Sequence, residues 1–317
     1  MNEIKTIDII SVGELLIDMM SIDYADTIDA AIMFKKSPGG SPANLAMNMK
    51  RLGKNVRLVS TVGNDDLGNY LFNFVRELGL DTDSLRQAKM PTTMILVTKS
   101  REVSNFEAYR SADAQINATQ LNNNLLKQAA IFHTTCFALS KKPAQTAIVK
   151  AAKRATNFGC QLSIDVNYAQ KIWQNRDEAH TIIHKYIGYG AFVKCSEVDW
   201  ERLYGSKLAD VSSAAQHFLN LGAKEVCMTM GGDGCFVANK SGEQHFLETR
   251  KIDVKDTTGA GDAFWSGFLT AHLDGLSLLN AAKAGRKMAE LKISNDGPLP
   301  VSVEKKIVYE DAYNNEQ

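Results

Sequence analysis

The sequence predicts an α/β fold with a mostly parallel central sheet, helices packed on it, and a small separate sheet. Three observations carry this. Short apolar, β-branched runs alternate with longer amphipathic stretches, the sequence form of repeated β-α units. Several of those runs end in glycine, aspartate or asparagine, at the strand ends where a parallel sheet collects its ligands. Two segments, 18–37 and 92–110, alternate apolar and polar residues with no intervening helix, which suggests a second sheet able to serve as a lid.

Taken in order, IDIISVG is the first strand and the first alternating segment follows it. Gly39-Gly40-Ser41-Pro42-Ala43-Asn44 then leads into LAMNMKRLG, whose apolar spacing fits a helix ending at Gly53. VRLVSTVG reads as a strand and LGNYLFNFVRELG as the helix after it, before the second alternating segment. AAIFHTT, AQTAIVKAAKRATNFG and QLSIDVN give strand, helix and strand, and AFVKCS and VCMTMGG add two more strands. In AFWSGFLTAHL, Phe264, Trp265, Phe268, Leu269 and Leu273 recur at helical spacing and predict one buried face. No repeat, low-complexity tract or linker divides the chain, so 1–317 reads as a single domain.

Composition narrows the function. Lysine plus arginine and aspartate plus glutamate number 36 each, so nothing suggests a polyanion-binding surface; nucleic acid is excluded as a partner and a small molecule expected. No apolar run approaches the roughly 18 to 20 residues of a membrane span, and the opening residues read as a strand, which points to the cytoplasm. Cys136, Cys160, Cys195, Cys227 and Cys235 lack C-x-x-C spacing and read as buried free thiols. His180 and His184 stand four apart on a helix but have no third ligand in sight, so they read as surface histidines. P-loop, Rossmann and nucleophile-elbow motifs are all missing.

The chemistry concentrates in Asp256-Thr257-Thr258-Gly259-Ala260-Gly261-Asp262. A helix start leaves backbone N–H groups unpaired and carries partial positive charge, so it stabilises phosphate or a developing phosphoryl charge. Gly259 and Gly261 can take positive φ and let those amides form a concave nest. Asp262 in the first turn is either a helix-start residue or a general base that takes the proton of an attacking hydroxyl. Gly39 to Asn44 is either a turn with an N-cap or the polar floor of a pocket, where Gly40 and Asn44 meet a ligand hydroxyl. Thr229-Met230-Gly231-Gly232-Asp233-Gly234 is either a hairpin turn or a loop that admits a nucleotide phosphate.

Together, GGSPANLAMNMKRLG with VGNDDLG, and DTTGAGDAFWSGF, resemble the two signatures of the ribokinase-like (PfkB) carbohydrate kinases, over a span from the first strand to about Pro300. IDVNYAQKIW, KCSEVDWERLYG and PGGSPAN look most similar to bacterial fructokinases, with 5-dehydro-2-deoxygluconokinases and 2-keto-3-deoxygluconate kinases as neighbours. The resemblance implies a ribokinase-like three-layer α/β/α fold and transfer of the ATP γ-phosphoryl group to a sugar hydroxyl with Mg²⁺. It implies Asp262 as the base, the amides of Gly259, Ala260 and Gly261 as the anion hole, and Asp18, Gly39, Gly40 and Asn44 as sugar contacts. Arg110 matches a lid arginine reaching toward the substrate, and Thr229, Gly231 and Gly234 match the nucleotide loop. Asp256 and Thr258 match residues holding a monovalent cation such as K⁺. A homodimer through the lids is also implied.

Four positions depart from the family pattern. Ser196 and Asp199 stand where N-x-x-E supports Mg²⁺, so Ser196 on the cofactor side and Asp199 beside the metal offer shorter polar groups. Ala169 replaces an arginine common in fructokinases. Arg286 occupies a region near the adenine that is usually small or amide-bearing.

Overall fold

A computed structural model of the chain describes residues 5–99, 105–295, 297 and 299–313. Among them the strands are β1 (Ile7–Val12), β2 (Leu16–Tyr24), β3 (Phe34–Gly39), β4 (Val56–Gly63), β5 (Leu85–Ala88), β6 (Met94–Lys99), β7 (Phe106–Tyr109), β8 (Ala129–Thr135), β9 (Gln161–Asp165), β10 (Ala191–Ser196), β11 (Glu225–Thr229), β12 (Cys235–Asn239) and β13 (Gln244–Leu247). The helices that matter here are α1 (Ser41–Arg51), α2 (Asp66–Glu77), α3 (Asn123–Gln128), α4 (Ala144–Asn157), α5 (Arg176–Ile187), α6 (Glu197–Tyr204), α7 (Val211–Leu221), α8 (Ala260–Leu273) and α9 (Leu278–Ile293).

The large sheet has the order β13-β12-β11-β10-β9-β8-β1-β4-β5. It is parallel from β5 to β11, so the ends of β1, β8, β9, β10 and β11 all lie along one edge. Only β12 and β13 run antiparallel. Its inner strands β1, β4 and β8 to β12 are mostly buried because both faces are covered. Ile10 and Val12 face a core shared with Ile148, Ile183 and Phe218 of α4, α5 and α7; Ile9 faces the other core, with Leu45, Leu71, Trp265 and Met288 of α1, α2, α8 and α9.

The two alternating segments form the second sheet, ordered β3-β2-β6-β7, with residues 100–104 of the segment 92–110 outside the described residues. Its polar alternation follows from having one face toward the body and one toward solvent.

One helix differs from its expectation. The spacing in α8 predicts one buried face, yet every residue from Ala263 to Ala271 is buried, because α8 is enclosed between the sheet, α1 and α9. The close crossing depends on glycine: a Cβ at Gly267 would lie 2.6 Å from the Ala284 carbonyl oxygen, and one at Gly285 2.9 Å from that of Phe264. No helix among the described residues is long and apolar enough to cross a membrane.

Candidate functional site

Asp262 lies in the first turn of α8, whose N-cap is Gly259 at φ 74°. The carboxylate accepts a hydrogen bond on each oxygen. Its Oδ1 accepts from Ser41 Oγ at 2.6 Å and its Oδ2 from Asn44 Nδ2 at 2.9 Å. Both partners come from the first turn of α1, so two helix starts face each other across this acid. Burial, then the charge of Asp165, pushes Asp262 up to about 6 against the pull of its two hydrogen bonds and of Lys194.

Only Gly259 uses positive φ in this loop; Gly261 is helical and small for a different reason. A Cβ there would lie 3.1 Å from Lys194 Nζ. Lys194 is a buried ammonium in β10 that donates to both oxygens of Asp165, the last residue of β9, at 2.9 and 2.8 Å. Burial alone would lower its pKa, but Asp165 and Asp199 outweigh this and hold it well above the usual lysine range. Sequence reasoning missed Lys194 and Asp165. The available signal was a charged side chain inside an apolar strand run, since a buried charge requires a partner.

Asp18 in β2 stands on the other side. A Cβ at Gly39 would lie 1.9 Å from its Oδ2, and one at Gly40, the N-cap of α1 at φ 104°, only 2.3 Å from the Glu14 carbonyl oxygen. The two glycines therefore let β2 and its carboxylate approach the start of α1. Burial, then repulsion from Asp262, pushes Asp18 up to about 7. Glu14, also missed, is enclosed just after β1. Its carboxyl accepts from the Ser41 backbone N–H at 3.3 Å and from Thr135 Oγ1 at 3.2 Å, and burial pushes it up to about 8.

The Arg110 side chain is 2% exposed and tied within the protein, with Nε and Nη2 on Asp113 Oδ2 at 3.1 and 2.5 Å, Nη1 on Ser140 Oγ, and its guanidinium 4.0 Å from the Phe137 ring centroid. Its charge acts on the pocket through Glu14.

Thr229, Gly231 and Gly234 line the turn between β11 and β12, so the segment is a hairpin and a strand-end glycine loop at once. Gly231 has φ 52° and Gly234 φ 110°, and a Cβ on Gly234 would meet the Leu247 carbonyl oxygen at 2.0 Å. Ser196 and Asp199 cap α6 reciprocally: Asp199 N donates to Ser196 Oγ at 3.0 Å, and Ser196 Oγ and N donate to Asp199 Oδ2 at 2.6 and 3.2 Å. Ser196 Oγ and Asp199 Oδ2 thus serve a capping box. Asp256 Oδ1 accepts from the Thr258 N–H at 2.9 Å, and its Oδ2 from Lys292 Nζ at 3.2 Å.

The remaining positions separate from this centre. Arg286 ties α9 to the Glu248 carbonyl and to Asp311, and Ala169 packs on the core. His180 and His184 are half-buried rather than superficial, against Tyr204, with His217 beside His184. No group of three or more metal-ligating side chains occurs among the described residues. All five cysteines are buried and free.

Comparison with known proteins gives the family and the fold. The model of the pfkB family carbohydrate kinases matches residues 6–305. The chain is 35% identical to the ATP-dependent 6-phosphofructokinase of Thermoanaerobacterium thermosaccharolyticum over 93% of its own length and 90% of that protein's. It is 33% identical to fructokinase-1 of Zea mays, covering 82% and 81%. The solved structure of Halothermothrix orenii fructokinase superimposes with a TM-score of 0.77 at 30% identity, covering 92% of this chain and 99% of that one. The layered sheet with its small second sheet is thus the ribokinase-like architecture, and the chain belongs to the pfkB family of carbohydrate kinases.

Proposed function

We propose that this protein transfers the γ-phosphoryl group of ATP to a hydroxyl of a small sugar, with fructose as the acceptor and Asp262 as the general base. The observation that carries the reading is the Asp262 carboxylate, held by Ser41 and Asn44 in the first turn of α8. Asp262 takes the hydroxyl proton as the acceptor oxygen bonds to phosphorus, the bond to the bridging oxygen breaks, and ADP leaves. The Gly259, Ala260 and Gly261 amides stabilise the equatorial oxygens, with the Lys194 ammonium beneath them. Asp18, Gly39, Gly40 and Asn44 orient the sugar. Arg110 supports Glu14 rather than touching the acceptor. Thr229, Gly231 and Gly234 receive the nucleotide.

Mg²⁺ fits this site as a companion of the nucleotide, because it binds through phosphate oxygens and water with few protein ligands. When bound it neutralises phosphate charge. Asp199 would support it through water, since Asp199 Oδ2 already serves the α6 cap. The second sheet acts as the lid of one domain and keeps water from the phosphoryl group. Ile22, Ile32, Met33 and Tyr109, exposed on or beside it, support pairing of two copies through the lids, which light scattering tests. The buried free thiols fit the reducing cytoplasm.

A second acceptor is favoured by one observation. Lys35 of β3 pairs with Met20 while Ser37 pairs with Asp18, which puts an exposed cation on the Asp18 face, suited to a sugar phosphate. The relative that acts as a 6-phosphofructokinase makes fructose 6-phosphate the matching candidate.

A coupled ADP-release assay decides among fructose, fructose 6-phosphate, 5-dehydro-2-deoxygluconate and 2-keto-3-deoxygluconate. Sugar-dependent ADP with fructose is the expected result. Ligand-induced stabilisation with no ADP from any sugar would make the protein a non-catalytic binder.

A further inference from the structure

We infer that Lys292 supplies, as a tethered side-chain ammonium, the monovalent positive charge beside the Gly259 nest, so that the chain needs no dissolved monovalent cation at Asp256. The inference rests on the kinase reading for its catalytic meaning, while the geometry stands apart from it. Asp256 has both carboxylate oxygens engaged, Oδ1 by the Thr258 N–H at 2.9 Å and Oδ2 by Lys292 Nζ at 3.2 Å. Lys292 Nζ thus stands as the counter-charge of the Asp256 carboxylate.

The arm carrying that charge is fixed rather than wandering. Lys292 is in the last turn of α9, where a cation is favoured by the helix dipole, and its side chain is 12% exposed. Lys255 and Asp256 both donate their backbone N–H to the Ile293 carbonyl, at 2.8 and 3.3 Å, which clamps the strand of chain leading into the nest onto the end of α9. At Gly259 three functions converge: the position a Cβ would take lies 3.9 Å from Lys292 Cε and 4.0 Å from both Asn44 Nδ2 and Asp262 Oδ2. A dissolved K⁺ on the Oδ2 side of Asp256 would have to displace the ammonium or sit beside it as a like charge. Among the described residues, Asp256 therefore fits a tethered ammonium better than a dissolved monovalent cation. A covalent ammonium gives the nest the same sign of charge at constant occupancy, whatever the salt around it.

The test uses the full chain in choline-based buffer of constant ionic strength, with KCl or NaCl exchanged for choline chloride. Two readouts are taken: ADP release with the acceptor that the sugar panel identifies, and thermal unfolding without substrates. The wild type is expected to show neither K⁺-specific activation nor a K⁺-specific rise in Tm. Lys292→Met, close in volume and uncharged, is expected to lose about tenfold or more in kcat. It should recover with K⁺ or NH₄⁺ and acquire a saturable K⁺-specific rise in Tm as the carboxylate opens. Lys292→Arg should keep activity without K⁺. Strong K⁺ activation of the wild type overturns the inference. So does a Lys292→Met protein that is fully active, or one that loses activity with no rescue and no cation-specific shift, since Lys292 would then be only a strut. If no sugar yields ADP, the kinase reading has failed separately, and the thermal arm alone decides: a K⁺-specific shift in Lys292→Met but not in the wild type supports the inference, and any other pattern overturns it.

Discussion

The nest at the start of α8 and the second sheet opposite it are built differently. At the nest, α8 is buried from Ala263 to Ala271, and the charges beneath it, Lys194 with Asp165, form a closed pair with side chains 6% and 4% exposed. On the second sheet, β2 passes from buried Leu16 and Ile17 through half-buried Asp18 to exposed Ile22, and Ile32 nearby is 87% exposed. The sheet's contribution to the pocket is acidic, with Asp18 pushed up to about 7 and neighbouring Glu14 to about 8, while two ammonium groups flank the nest. In the proposed reaction, the phosphate-handling half rests on a buried helix and a buried ion pair, and the half that chooses the acceptor rests on a partly exposed sheet. Acceptor preference can then change with little cost to stability, whereas the phosphoryl-transfer geometry cannot.

The largest effect expected of this contrast is on turnover. Asp262→Asn should keep nucleotide and sugar binding by calorimetry and lose on the order of 10² to 10⁴ in kcat, the range for a lost general base; undiminished turnover would remove the base from the account. Next comes stability. Lys194→Met strands the Asp165 carboxylate inside the protein and should lower the unfolding free energy by about 3–5 kcal/mol in denaturant titration, and a loss below about 1 kcal/mol would mean the pair is not closed. On the sheet side the change should be kinetic and smaller: Gly39→Ala displaces the Asp18 carboxylate and should raise the acceptor KM about tenfold with the ATP KM unchanged, as for one lost hydrogen bond to a charged group. Equal change in both values would show that the halves are not separable.

The smallest effect is a gain. The Asp18 pKa is raised from 3.8 to about 7, so the unfolded chain ionises first as pH rises and native stability falls through that window. Asp18→Asn should therefore unfold at a higher temperature than the wild type at about pH 8, with the advantage vanishing near about pH 4. A constant difference across pH would contradict the raised value.

The same contrast explains what was legible in the sequence. The start of α8 could be read because a helix start after glycines has a local signature, with Asp262 in its first turn. Gly39 and Gly40 were legible as a cluster, but their reason, the approach of Asp18 and of the Glu14 backbone, is a tertiary contact. Lys194 and Asp165 meet only when β10 pairs with β9, and Lys292 reaches Asp256 only through the clamp at Ile293, so no local pattern announced either. Arg110 was placed in the right neighbourhood, but Asp113, three residues on, turns its guanidinium inward. Ser196 and Asp199 form a capping box, a local motif that was legible in their spacing beside the metal-supporting role taken from resemblance.

The most direct test of the central claim is the dependence of kcat on pH at saturating ATP and acceptor. Asp262, pushed up to about 6, must be ionised to accept the proton, so kcat should fall about tenfold per pH unit below that value. A kcat that stays level well below pH 6 in a protein still folded there would contradict the assignment of Asp262 as the base.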